Sequence, residues 1–243
     1  MRVVNTQIAY ILHKRSYRES SSILELLTKD HGRVALMARG TRGARSRISG
    51  NLLLFTPLVL SWQGKGDLPY LKSIERADIK PPVLKNKALL SAMYINELLM
   101  YLLHRDDEQE KIFEQYHACL YALEEVDRLE ISLRQFEIKL LEILGFGLNV
   151  HLEADTGEAI TADRRYQYFL EHGPVKCRNG ADVSVPQISG ACLLALSDER
   201  FQVIAENADH LSELKHLTRY VINHHLGHKK LKSRELFRPM SKI

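Results

Sequence analysis

The pattern of apolar and polar positions changes character once along the chain, at Pro81-Pro82. Before it, short runs of β-formers are broken by turn residues. Val3–Leu12 partly alternates, Ile23–Leu27 runs into the turn Lys29-Asp-His-Gly32, and Arg33–Ala38 returns as the second arm of a hairpin. Leu58–Trp62, a Gly64-Lys-Gly66 turn and Leu68–Ile74 complete five strands. Five short strands with long basic connections predict a small Greek-key barrel such as the oligonucleotide-binding (OB) fold, although an SH3-like barrel gives a similar string.

Beyond the prolines the period is helical. Residues 84–104 place Ala88, Ala92, Ile95, Leu99 and Leu102 on one face, and 108–124 do the same with Ile112, Phe113, Tyr116, Cys119, Leu120 and Leu123. A third helix over 130–144 carries Leu133, Phe136, Leu140 and Leu144, with Gly145 placed to end it. Residues 146–188 are glycine-dotted and irregular, with a short ribbon around Tyr166–Leu170. Helical pattern returns over 190–196 and 209–226. The expected architecture is α+β: an OB-fold β-barrel over residues 1–80, then an α-helical domain over 81–243.

Composition adds little until charge is mapped. The chain of 243 residues can bury a real core. Its longest apolar stretch, Ala88–Leu103, carries Asn96 and Glu97 and does not read as a membrane span. The first residues show no signal-peptide pattern, and three widely spaced cysteines argue against a disulfide framework, so a cytoplasmic location is expected. Residues 1–80 hold 14 Lys and Arg against 6 Asp and Glu, residues 81–228 hold 14 against 23, and residues 229–243 hold 6 against 1. Such segregation marks a basic nucleic-acid face joined to a middle that does something else.

The run Arg39-Gly-Thr-Arg-Gly-Ala-Arg-Ser-Arg47 holds four arginines and no acid. Planar guanidinium forks at short intervals suit a chain of phosphates, against the alternative of a merely solvated loop. The candidate DNA contacts are Lys14, Arg15 and Arg33, the loop residues Arg39, Arg42, Arg45 and Arg47, and the C-terminal Lys229, Lys230, Lys232 and Arg234. Tyr10, Tyr17, Trp62 and Tyr70 are candidate stacking partners for bases, each equally readable as core, and for Trp62 core is the better reading. Backbone contacts of this kind position a strand without reading it.

Enzyme signatures are missing. There is no Walker loop, no Gly-x-Ser-x-Gly elbow and no His-Glu-x-x-His. His224 and His228 lie four apart on an expected helix, a spacing that could hold a metal, but no cysteine or carboxylate is close by in sequence; His151, His172 and Cys177 form a loose set that matches no zinc pattern. On the third helix Arg134, Ile138 and Leu141 fall at i, i+4 and i+7, apart from the core stripe. They could form an apolar groove ending in an arginine, although Arg134 could equally pair with Glu130 or Glu137.

Several strings together resemble the bacterial RecO family of recombination mediators. They are Gly32-Arg-Val-Ala-Leu-Met-Ala-Arg-Gly-Thr-Arg42, Phe55-Thr-Pro-Leu58, Tyr94-Ile-Asn-Glu-Leu-Leu99, Leu133-Arg-Gln-Phe-Glu137, Leu144-Gly-Phe-Gly-Leu-Asn149 and Leu231-Lys-Ser-Arg-Glu-Leu-Phe237. The resemblance implies an OB barrel followed by a helical domain, and a non-enzymatic role in DNA repair and recombination with no cofactor. It implies binding of single- and double-stranded DNA at the nucleoid, annealing of complementary strands, and work with RecR to load RecA onto DNA coated by single-strand-binding protein (SSB). It also implies a grip on the acidic, phenylalanine-terminated SSB tail through the helical domain, which favours the groove reading of Arg134, Ile138 and Leu141. Some members carry a four-cysteine zinc site after the Leu-Gly-Phe-like string. Here residues 146–180 keep only Cys177, so no structural metal is expected. An RNA-binding barrel and a metal-dependent nuclease remain the competing readings. The nuclease would have to draw on Glu19, Glu25, Asp30, Asp67, Glu75 and Asp78, which are scattered.

Overall fold

A computed structural model describes residues 2–41, 48–177, 182 and 184–237. Its first five strands are β1 (Arg2–Tyr17), β2 (Ser21–Thr28), β3 (Gly32–Ala38), β4 (Leu58–Gly64) and β5 (Tyr70–Arg76). They close into a barrel in the order β1-β2-β3-β5-β4, with β3 and β5 parallel and every other pair antiparallel. This is the five-stranded OB arrangement. Alternation sends Ala9, Ile11, Leu24, Leu26, Val34, Leu36, Leu58, Leu60, Trp62 and Ile74 into the interior. Trp62 is therefore core, as its place at the end of an apolar run implies.

β2 departs from alternation, because every one of its residues is buried. Against the outside of the neighbouring β1 pack two helices, α1 (Asn86–Leu102) and α2 (Glu110–Ala122). Tyr10 is fully buried there; its ring packs 5.1 Å from Tyr116 and 5.7 Å from Phe113, and its hydroxyl bonds His117 Nδ1 at 2.6 Å. Tyr10 is thus not a stacking partner for bases. On α1, Asn96 Nδ2 donates to the carbonyls of Leu12 at 2.9 Å and Ile11 at 3.5 Å, while its Oδ1 accepts from the Tyr116 hydroxyl at 2.7 Å. One amide side chain joins strand, first helix and second helix.

The chain therefore divides in space later than it changes in pattern. One compact unit comprises residues 1–124 with 230–243, and the other residues 125–229. Pro81-Pro82 marks the end of the strands, but α1 and α2 belong with the barrel. The segment after α1 lies against the β2–β3 turn, where Gly32 at φ +59° brings its α-carbon so close to the Asp107 carbonyl that a Cβ would sit 1.7 Å from that oxygen. A final short helix, α7 (Ser233–Leu236), closes the first unit.

The second unit is built on α3 (Leu129–Ile143), α4 (Gly190–Ser197), α5 (Phe201–Ala205) and α6 (Ala208–Leu226). α3 ends as expected at Gly145, where the amides of Gly145 and Phe146 return to the carbonyls of Glu142 and Leu141. The segment read as irregular contains a three-stranded antiparallel sheet, β6 (Arg165–Phe169) between β7 (Gly173–Lys176) and β8 (Gln187–Ser189). The buried Glu153 carboxylate pins the approach to this sheet, accepting from the amides of Thr156 at 2.7 Å and Lys176 at 3.2 Å. Among the described residues no group of three or more His, Cys, Asp or Glu is placed to hold a metal, and no helix is long and apolar enough to cross a membrane.

Replacing Asn96 with alanine is expected to destabilise the first unit by about 2–3 kcal/mol, since it leaves a buried tyrosine hydroxyl and a strand carbonyl unpaired. Denaturant unfolding measures this, and Tyr116→Phe in the same background should recover part of the loss. A second expectation concerns acid. His117 Nδ1 shares a hydrogen bond with the Tyr10 hydroxyl, and burial holds the imidazole below its ordinary value of 6.5. The unfolded chain therefore takes up the imidazole proton first. Stability is complete above pH ~6.5 and declines as pH falls through the window below it. Thermal melts of His117→Phe should show a shallower decline over that window than the wild type.

Candidate nucleic-acid interface

In an OB barrel the outer face of strands 2 and 3 and the loops joining strands 1–2 and 4–5 are the usual ligand surface. Here the strand face is closed by the chain itself. Glu25, at the middle of β2, is buried and accepts from Arg33 Nε and Nη2, each at 3.1 Å, and from Arg105. Arg33 Nη1 donates to the carbonyls of Met100 at 2.6 Å and Leu103 at 2.9 Å. Arg33, expected among the DNA contacts, is instead held inward: it ties β2 and β3 to the end of α1. A buried carboxylate needs such partners, because leaving it charged and alone costs several kcal/mol.

What remains open is the rim of loops. The β1–β2 turn over residues 18–20 touches the start of the arginine loop, where the Thr41 amide donates to the Ser20 carbonyl at 2.8 Å and the Thr41 and Ser22 hydroxyls bond at 2.7 Å. Lys14 and Arg15 are exposed on the arm of β1 that leads into this turn, and Arg18 is exposed in the turn itself; Lys14 Nζ reaches the Leu52 carbonyl at 3.5 Å. Arg39 leaves β3 exposed and lays its guanidinium over the Tyr70 ring, 4.1 Å from the centroid. Arg42, Arg45 and Arg47 lie outside the described residues. The described part of the rim therefore gathers Lys14, Arg15, Arg18 and Arg39 with the half-buried Tyr17 and the exposed Tyr70.

The C-terminal basic run divides between the two units. Lys229 ends the second, and Lys230, Lys232 and Arg234 belong to the first. The Glu97 carboxylate of α1 accepts from the amides of Lys232 and Ser233, each at 2.9 Å, and from the Ser233 hydroxyl at 2.6 Å, holding the start of α7. Arg234 lies over the Tyr94 ring at 5.5 Å, and Leu231 is buried. Lys230 and Lys232 keep their side chains exposed. The run thus both packs and presents charge, as its mixed composition implies. Glu97 carries no sequence signal of this role beyond its place in the Tyr94-Ile-Asn-Glu string.

In the second unit the three residues expected to form one groove separate. Arg134 is 3% exposed, its Nη1 bonding Glu137 at 2.8 Å and Thr218 at 3.1 Å. Glu130 stands 3.6 Å from its Nε. Leu141 is fully buried. The local pairing considered for Arg134 is what the fold uses, with its guanidinium sealed from solvent against Glu130 and Glu137. Ile138 alone of the three faces a cleft, of about 210 Å³, walled by Leu148, Val150, Leu196 and Phe201 with Lys139 on its edge. Lys139 bonds Glu199 at 2.7 Å and Glu142 at 3.0 Å; the Glu199 bond foremost raises its ammonium above the ordinary lysine value. His224 and His225 lie apart from this cleft, with His225 stacked on Phe146 at 3.8 Å.

The family model described as Recombination protein O N terminal matches residues 1–79, and that described as Recombination protein O C terminal matches residues 86–235. Proteins called DNA repair protein RecO are similar along nearly the whole chain. That of Methylococcus capsulatus is 43% identical over 233 residues, covering 96% of this chain and 93% of its own. That of Coxiella burnetii is 43% identical over 228 residues, covering 94% and 95%. That of Aromatoleum aromaticum is 36% identical over 242 residues, covering 99% and 98%. A barrel, its covering helices and the second unit all fall within these matches, and the chain belongs to the RecO family of DNA repair proteins.

Proposed function

We propose that this chain is a recombination mediator. It binds single- and double-stranded DNA without sequence preference, anneals complementary strands, and acts with RecR to help RecA onto SSB-coated DNA. It does so in the cytoplasm, at the nucleoid, as an adapter and not an enzyme. The observation that carries the reading is the basic rim of a closed OB barrel, in a chain that matches the RecO family from end to end. Lys14, Arg15, Arg39, Arg42, Arg45 and Arg47 track the phosphates in this reading, with Lys229, Lys230, Lys232 and Arg234 as a second basic stretch. The SSB tail is assigned to the cleft over Ile138, whose apolar walls suit a phenylalanine ring.

Annealing of complementary strands, bare and SSB-coated, with and without RecR, tests the reading. Acceleration on both substrates is expected; no acceleration, or a strong preference for matched RNA in competition binding, overturns it. Replacing Arg39, Arg42, Arg45 and Arg47 together with alanine should flatten the dependence of log K on log salt for single strands by roughly 3. In the second unit Ile138→Glu should abolish binding of a labelled SSB-tail peptide in fluorescence anisotropy with the melting temperature little changed. Arg134→Ala should lower that melting temperature, because it takes a cation away from the buried Glu137.

A further inference from the structure

We infer that Tyr70 is the base-stacking platform of the barrel and that Arg39 is its guard, covering the ring in the free protein and moving to a phosphate when a base takes its place. The inference rests on the proposed DNA reading and names the residue that contacts bases. Four aromatics sit in or beside the barrel, and the structure separates them. Tyr10 is closed under α2, and Trp62 is core with its edge toward His31. Tyr17 is half-buried at the far end of the β1 arm. Tyr70 is 40% exposed, although a cation already lies on one face.

Three features suit Tyr70 to the role. Its backbone is fixed: it pairs with Gln63 in β4 and with Met37 in β3, and the Met37 amide donates to the neighbouring Pro69 carbonyl at 2.8 Å. A ring on a fixed strand needs little ordering when a ligand arrives. The side chain lies on the barrel's outside, at the first residue after the loop joining β4 to β5, one of the two loops OB barrels use for oligonucleotides. And the group on its face is a flat guanidinium at stacking distance, the shape a nucleobase would replace.

The exchange is electrostatically sound. In the free protein the Arg39 charge rests on the negative face of the ring, a contact that exposed cations make weakly. A single strand brings a base and a phosphate together, so the ring keeps a stacked partner while the guanidinium gains a charge-assisted one. A duplex brings phosphates with its bases already stacked on one another. It engages Arg39 and leaves Tyr70 unused. The pair therefore provides a physical way to favour unpaired strands without reading sequence.

The test is binding of oligothymidylate, an abasic oligomer of equal charge, and duplex DNA to full-length wild type, Tyr70→Ala and Tyr70→Phe. Tyr70→Ala should weaken oligothymidylate binding about tenfold, the value of one lost base stack. It should leave abasic and duplex binding, and the salt slope on oligothymidylate, unchanged, while Tyr70→Phe retains wild-type behaviour. Arg39→Ala should lower the salt slope on single strands by roughly 0.7. Equal losses on all three ligands, or wild-type affinity of a folded Tyr70→Ala for oligothymidylate, overturn the platform while the DNA reading stands. Failure of the wild type to bind any of the three overturns the DNA reading itself.

Discussion

The first unit depends on one side chain. Asn96 sits on a buried face of α1 and reaches a bend in β1, where the pairing register with β2 shifts between Ile11 and His13. At such a shift a strand carbonyl loses its ladder partner, and a buried carbonyl without one is costly. The Asn96 amide takes up the carbonyls of Ile11 and Leu12 and accepts the Tyr116 proton on its other end. The irregularity that lets a 16-residue strand serve both halves of the barrel is thereby also the point that docks α1 and α2. Once those helices are docked, Tyr10, Glu25 and Arg33 must be satisfied from within, and the usual ligand face of the barrel is covered. The open surface that remains is the loop rim, which is where the exposed cations and Tyr70 stand.

Arginine has two opposite employments in this protein, and counting charges does not separate them. Arg33 and Arg134 hold buried carboxylates, one across a hairpin and one along a helix, whereas Arg15 and Arg39 stand in water at the rim. All four look alike in a sequence window. What distinguishes them is whether a carboxylate falls within reach on the same face and is itself sealed from solvent. For Arg134 the signal was present: Glu130 and Glu137 stand at i−4 and i+3, and both pair with it. For Arg33 it was not local, because Glu25 becomes its neighbour only through the β2–β3 register and is sealed only by the segment around Arg105.

The barrel strands were legible because alternation and turn residues are local, and the long helices because their apolar spacing is. The unit division was not, since nothing in the periodicity of α1 and α2 says that their apolar faces belong with the barrel. The sheet β7-β6-β8 was legible only as a short ribbon around Tyr166–Leu170, for a different reason. Its strands are three to five residues long, and β7 and β8 are too short to show a period. Their order comes from side-chain anchors, with Glu153 holding the Thr156 and Lys176 amides and Glu213 holding the Ser189 amide and hydroxyl. Of the rim, the cations were evident from composition alone. That Tyr70 and not Tyr10 would be the open aromatic needed the helices in place.

The same helix carries the other end of the chain. Asn96 faces β1, while its neighbour Glu97 turns to a different side and takes the first amides of α7. Consecutive residues on a helix point about 100° apart, so two adjacent polar side chains can secure two different segments without competing. A carboxylate at a helix start is also favoured by the backbone dipole, which compensates for removing Glu97 from solvent. The consequence reaches the basic residues beside it. Lys232 donates its backbone amide to Glu97 while its side chain stays exposed, and the buried Leu231 anchors the backbone next to Lys230. These two lysines are thus displayed from a fixed backbone and not from a loose tail. For a ligand bound by charge, that lowers the ordering cost of each contact without adding any sequence preference.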